Sequence, residues 1–333
     1  MSRRRALNPV GGVILTVLII LAAAVSAFVL LTFAGTLIAL RHNMRPGEAM
    51  DLTTSNLDGT RFEKYAERLV RDVEELRALP WEDVCISSFD GLRLHGRLIR
   101  GEGDTVILVH GYHSSAENDF AGIAQWYVRR GCTVLAVDQR SHGRSEGRSV
   151  TFGYREQRDA VAWAQFAEYE LGSERVWMHG VSMGAVSVLL ALEDGYPDCV
   201  RGVIADCPFD SPVGLFAFHL RKRFHLPPFP VVPIGTLAWA LMIGPDFVKD
   251  SCHAAAAESA LPLLLFSAGE DKTVPPRCAE AVWEARGRRD VWIHMPGAHH
   301  ALCWQEDAEQ YASALESFLS SERTAQTAEE AGA

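Results

Sequence analysis

The chain has 333 residues, 48% hydrophobic and 22% charged, with a formal net charge of −10. That is ample for one large core with an appendage, and an acidic chain with no basic block in its body is a poor fit to nucleic acid as a partner. The seven cysteines (85, 132, 199, 207, 252, 278, 303) show no C-x-x-C and no His/Cys cluster at ligand spacing, which argues against a disulfide framework and a structural zinc.

The amino terminus departs from the rest. Arg3-Arg4-Arg5 precede an uncharged run from Val10 to Leu40 that is closed by Arg41 and Arg45. As a helix this run would reach about 45 Å, more than the ~30 Å hydrocarbon layer needs, so residues 1–45 are expected to form a single-pass transmembrane anchor. A cleavable signal peptide is the rival, disfavoured because its apolar region is normally about 7–15 residues. The arginine excess before the span orients the amino terminus to the cytoplasmic side and the body outside, while unpaired cysteines pull the other way. Pro46 to Gly59 reads as a linker. Arg61 to Leu79 carries Phe62, Tyr65, Leu69, Val70, Val73 and Leu76 at helical spacing. Residues 46–80 are therefore read as a linker and an amphipathic helix, whose stripe either docks on the body or lies on the membrane surface.

From residue 81 to 320, strand-like and helical runs alternate. Glu82–Phe89 and Leu92–Arg100 are joined at Asp90-Gly91, a hairpin signal. Buried strands are expected at Thr105–Val109, Val176–His179, Val200–Ala205 and Leu263–Ser267, and further strands at Cys132–Val137 and Val291–His294. Helices are expected at Phe120–Arg130, Glu156–Leu171, Arg277–Arg286 and Gln305–Leu319, with a flexible tail over 321–333. This alternation predicts an α/β fold, a mostly parallel sheet with helices on both faces. Residues 210–260, aromatic and Pro-rich with a basic knot at Arg221-Lys222-Arg223, enter after one core strand and leave before the next, as a lid would.

Ligands of such sheets bind beyond the carboxyl ends of the strands. There, Gly180-Val181-Ser182-Met183-Gly184 passes from a strand run directly into an Ala/Val/Leu helix, which makes Ser182 a candidate nucleophile with the Met183 N–H facing a forming oxyanion. A second match, Gly143-Arg144-Ser145-Glu146-Gly147, neither directly follows a strand nor opens an apolar helix, and Ser145 is read as a decoy. His110-Gly111-Tyr112 follows another strand and offers the Tyr112 N–H as a second oxyanion donor. A serine hydroxyl needs a base, and the base needs a carboxylate. Asp271 stands at a later strand end, with Asp206 as the alternative, and His299-His300 follow the last strand. The order Ser…Asp…His is that of an α/β-hydrolase.

The motifs DGLRLHG, VILVHGY, VLAVDQRSHGRS, HGVSMGA, FSAGEDKTVP and PGAHHAL together resemble the α/β-hydrolase superfamily. The resemblance extends from about Glu82 to Leu319 and is greatest to the serine-aminopeptidase-like, Bem46-type branch of single-span membrane hydrolases. It implies an α/β-hydrolase fold and a triad of Ser182, Asp271 and His300, since the Gly-Ala-x frame selects His300 over His299. One departure is Ser141, where relatives have the glycine of an R-G-H-G loop. The expected function is a membrane-anchored serine hydrolase that cleaves an ester, thioester or amide of a small-molecule or lipid-like acyl substrate. No metal or organic cofactor is expected. The alternatives are a peptidase acting on short peptides and a silent, membrane-tethered binding protein.

Overall fold

The computed structural model describes residues 9–332 apart from 53, 249, 250 and 289, with side chains for all of these except 9, 54, 55, 248 and 322–332. The amino-terminal apolar run is one helix, α1 (Pro9–Asn43); Arg3-Arg4-Arg5, which carry the orientation signal, lie outside the described residues. By contact the chain divides into two compact units. One is Met1–Asn43 with Phe216–Val248, and the other is Met44–Leu215 with Lys249–Ala333.

In the second unit, the stretch expected as a linker is docked. The Met44 carbonyl accepts from Val150 N–H at 2.7 Å, and Gly47 N–H donates to the Ser141 carbonyl at 3.1 Å. The Met50 carbonyl accepts from Asn118 Nδ2 at 2.8 Å. Leu52 and Leu57, the latter on α2 (Thr54–Leu57), are buried. Backbone groups of Met44, Gly47 and Met50 thus pair with the body, while two leucines peg the segment to the core. The amphipathic stretch resolves into a short 3-10 turn (Glu63–Tyr65) and α3 (Ala66–Arg77). Its apolar stripe, Tyr65, Leu69, Val73 and Leu76, joins the core cluster that includes Phe120 and Ile123, so the stripe is used for docking and not for a membrane surface.

The body then runs β1 (Glu82–Ser87), β2 (Arg93–Ile99), β3 (Thr105–Val109), α4 (Ala116–Arg129), β4 (Thr133–Val137), α5 (Glu156–Tyr169), β5 (Val176–Val181), α6 (Met183–Asp194) and β6 (Val200–Asp206). After the insertion come β7 (Leu263–Ala268), α10 (Arg277–Ala285), β8 (Val291–Met295), α11 (Cys303–Glu306) and α12 (Ala308–Gly332). The strands form one sheet in the order β1-β2-β4-β3-β5-β6-β7-β8, parallel except that β2 runs antiparallel to β1 and β4. Strand residues alternate between faces as the pleat requires. Val106 and Leu108 enter one buried cluster, Ile107 and Val109 the other. The closing helix does not stop at Leu319 with a loose tail beyond it. Its Ala/Glu-rich extension has high helix propensity and meets no Gly or Pro until Gly332.

The expected lid over 210–260 is divided. It comprises α7 (Pro212–Phe224), α8 (Pro228–Met242), a 3-10 turn (Asp246–Val248) and α9 (Cys252–Glu258). Helix α9 belongs to the body, against α6 and α10, whereas Phe216–Val248 group with α1. In that first unit Gly235 of α8 sits against Thr36 of α1. Trp239 lies between Phe216 and Phe247, at ring-centroid distances of 5.6 and 5.3 Å, a small aromatic core of its own.

The Ser141 departure has a backbone cause and cost. Its φ is 63°, where glycine is at ease and other residues are strained, and its Oγ is buried with no hydrogen-bond partner among the described residues. Ser141→Gly is therefore expected to raise the unfolding free energy by about 0.5–1 kcal/mol, after allowing for the greater freedom of glycine in the unfolded chain. Urea titration followed by circular dichroism checks this, and a destabilised variant would show that the serine side chain holds the loop.

Candidate active site

Strand β5 ends at Val181 and α6 begins at Met183, so Ser182 alone makes the corner. It has φ 54° and ψ −116°, a conformation L-residues avoid unless their surroundings enforce it. Ser182 N–H donates to the Asp206 carbonyl at 2.8 Å and the Ser182 carbonyl accepts from Val186 N–H at 3.1 Å. The flanking glycines are obligatory: a Cβ at Gly184 would stand 1.9 Å from the Val109 carbonyl oxygen, and one at Gly180 2.3 Å from the Gly184 oxygen.

The corner presents Ser182 Oγ 2.8 Å from His300 Nε2. His300 Nδ1 lies 2.6 Å from Asp271 Oδ2, so Nδ1 carries the proton and Nε2 is the acceptor for the serine. The other carboxylate oxygen of Asp271 accepts from the N–H groups of Thr273 and Val274, each at 2.7 Å. Asp271 follows β7 and His300 follows β8, adjacent strands whose carboxyl ends bring both residues to the serine. Both are buried. Burial works to lower the His300 pKa, but the hydrogen bonds to Asp271 and Cys207 outweigh it and the net shift is upward from 6.5.

The alternatives read from the sequence go elsewhere. His299 Nδ1 pairs with the Glu270 carbonyl at 3.2 Å. Ser145 Oγ donates to the Asp138 carbonyl at 2.6 Å and accepts from His95 N–H at 2.8 Å, a loop fastener. Asp206 is buried with Oδ1 unpartnered among the described residues, and burial raises its pKa well above the usual carboxylate range.

Met183 is the first residue of α6, where backbone N–H groups have no partner within the helix and the dipole is positive. Tyr112 borders a cavity of about 240 Å³ together with Ser182 and His300. Three features in and around this site were not visible in the sequence. Its wall includes Met50, Leu52, Arg61 and Phe62, from the docked segment before the sheet. Asp119, in the first turn of α4, accepts from Gly111 N–H at 2.6 Å and from Ser114 Oγ at 2.7 Å, clamping the loop that carries Tyr112. Cys207 and Cys303 place their sulfurs 3.8 Å apart in the buried layer beside His300. The ligand atoms of Cys207, Asp271 and His300 fall within 4.8 Å of one another. Because His300 and Asp271 are already spent on each other and on Ser182, this trio offers no free ligand set. No signal in the sequence links the distant Asp119 to Gly111, or Cys207 to Cys303.

The loop after β4 supports its neighbour. His142 donates from Nδ1 to the Arg140 carbonyl at 3.0 Å and accepts from His113 N–H at Nε2 at 3.1 Å. Arg140 in turn is fixed by the buried carboxylate of Asp159, at 2.6 and 2.8 Å.

Comparison with known proteins agrees with this geometry. The sequence family described as serine aminopeptidase, S33, matches residues 102–222. The uncharacterized protein YqkD of Bacillus subtilis is 28% identical over 218 residues, covering 65% of this chain and 71% of that protein. The thiohydrolase aneE of Aspergillus aculeatus is 30% identical over 135 residues, 38% of this chain and 42% of the other. Among solved structures, the esterase Pf2001 of Pyrococcus furiosus superimposes with a TM-score of 0.63 at 22% identity, covering 83% of this chain and 97% of that one. By its sheet order, its strand-turn-helix serine corner and these likenesses, the chain has the α/β-hydrolase fold.

Proposed function

We propose that this hydrolase cleaves carboxylic esters or thioesters through an acyl-enzyme, with Ser182 as nucleophile. The observation that carries the reading is the continuous relay from Ser182 Oγ through His300 to Asp271, at 2.8 and 2.6 Å, opening on a cavity. In this mechanism His300 Nε2 takes the hydroxyl proton as Oγ bonds to the carbonyl carbon. The oxyanion then faces the N–H groups of Met183 and Tyr112. Collapse expels the alcohol or thiol, which leaves with the proton returned by His300. Water enters, gives its proton to His300 and attacks the acyl carbon, and Ser182 recovers its proton as the acid departs. Asp271 stays ionised throughout and holds the imidazole in the useful tautomer.

Esters and thioesters are favoured over peptides by the charge of the cavity. A peptide amino terminus needs a carboxylate to hold its ammonium group. Asp119, the one acid bordering the cavity among the described residues, is occupied by Gly111 and Ser114, whereas Arg61 supplies a cation. The names of the thiohydrolase and esterase relatives support the same choice. We further propose that α1 spans a membrane and tethers the enzyme, with its amino terminus inside and the body outside.

Four tests follow from the geometry. A fluorophosphonate probe should label the wild type and Ser145→Ala but not Ser182→Ala; absence of labelling in the folded wild type would favour the silent binding protein. The acid limb of the kcat/KM profile should lie above 6.5, the His300 proton having to leave before the imidazole can act as base, and activity should rise with pH through that limb. Asp271→Asn should lower kcat by about four orders of magnitude and move the limb downward, because burial then acts on His300 without its carboxylate. Asp119→Ala, which frees the Gly111 N–H and loosens the Tyr112 loop, should lower kcat by about tenfold to a hundredfold with KM nearly unchanged; an equal change in both would make Asp119 merely structural.

A further inference from the structure

Helix α8 is apolar from end to end, PFPVVPIGTLAWALM, with no charged residue in 15. Only one side of it is used for packing. Gly235, Ala238 and Trp239 are buried, Gly235 against Thr36 of α1 and Trp239 within the Phe216–Phe247 cluster. On the other side Leu237 and Leu241, one turn apart, are 56% and 71% exposed, and Phe229 at its start is 76% exposed. The end of α7 and the connection to α8 add Phe224 and Leu226, also exposed. Five large apolar side chains left open on one helix pair are too many for an ordinary aqueous surface. Beside them stand Arg221, Lys222 and Arg223, all exposed, in a chain whose net charge is −10.

The position of α8 along α1 says what covers this face. Apart from half-buried Gly12, α1 is open from Val10 to Leu31, 22 residues or about 33 Å of helix, the thickness of a hydrocarbon layer. Thr36, where α8 sits, comes five residues later, about 7 Å beyond that layer and hence at the level of the headgroups. At 15 residues α8 is too short to span a bilayer itself. An apolar face with a basic flank at that depth has the chemistry of an interfacial helix.

We propose that the α7–α8 pair is a second membrane contact. It lies in the acyl–headgroup boundary of the leaflet at the carboxyl-terminal end of α1, with Phe229, Leu237 and Leu241 among the acyl chains and Arg221, Lys222 and Arg223 on anionic headgroups. The inference rests on the reading of α1 as a span. It replaces the expected free lid by an element fixed at the surface where a lipid-like ester would be found.

The test uses the full-length protein in nanodiscs that contain an anionic phospholipid and a phospholipid with a photoactivatable carbene in its acyl chain, followed by peptide mass spectrometry. Peptides covering 10–31 and 224–241 should both be labelled and those of the hydrolase body should not. In purely zwitterionic nanodiscs, and in the triple variant Arg221→Gln/Lys222→Gln/Arg223→Gln, labelling of 224–241 should fall by about fivefold while that of 10–31 holds. Labelling of 10–31 without 224–241 overturns the proposal and leaves the span intact, and a cross-link from 224–241 to a second copy would assign the face to self-association instead. No labelling of either stretch overturns the span along with it. Hydrolysis of a soluble short-chain ester should be unchanged in the triple variant, so that failure of the membrane reading and failure of the hydrolase reading remain distinct.

Discussion

The backbone of Ser182 is turned in a direction that L-residues resist, and the surrounding structure is arranged to keep it so. Such a conformation costs of order 1–3 kcal/mol, a small sum against a sheet whose β3, β4, β5 and β7 are buried along their whole length. Strand β5 is held between β3 and β6, so the corner cannot relax without disturbing the sheet. Helix α6 starts immediately after it and points its unpaired N–H groups toward the same space. One distortion thus lifts the hydroxyl out of the sheet and puts positive backbone dipoles beside it.

The polar side of the site is organised by how hydrogen-bond donors are distributed between two buried carboxyl groups. Asp271 receives three, from His300, Thr273 and Val274, so both of its oxygens are satisfied although it is buried. Asp206, the last residue of the neighbouring strand β6, has an oxygen with none, and burial raises its pKa. The same economy appears in the loop after β3, where Asp119 engages Gly111 N–H and leaves the next residue, Tyr112, to border the cavity.

Much of this was legible in the sequence because it is local. Strand positions agree with the structure to within two residues at either end, since continuous β-branched runs bounded by glycine have few other uses. The serine corner was visible because a strand, two glycines and an apolar helix adjoin without a gap. What the sequence hid is what depends on docking. Residues 46–59 carry the signs of a linker, and their hydrogen bonds to Ser141 and Asn118 dock them so that Met50 and Leu52 become wall of the cavity. The 210–260 stretch reads as one insertion, yet its helices divide between two units, because the apolar face of α8 finds α1 while α9 finds α6 and α10. The choice of His300 over His299 needed the resemblance, since two adjacent imidazoles carry no internal mark of which one faces the serine.

The two glycines of the corner also bear on how such a protein changes over generations. With backbone oxygens 1.9 and 2.3 Å from where any Cβ would stand, neither position has a tolerated intermediate, whereas the serine between them can lose its hydroxyl with no steric clash, giving up only its hydrogen bond to His300. A descendant that abandoned chemistry but kept its architecture would therefore retain Gly180 and Gly184 and vary at Ser182, Asp271 or His300. The glycines are tied to the fold, and the three polar side chains only to the reaction proposed for them.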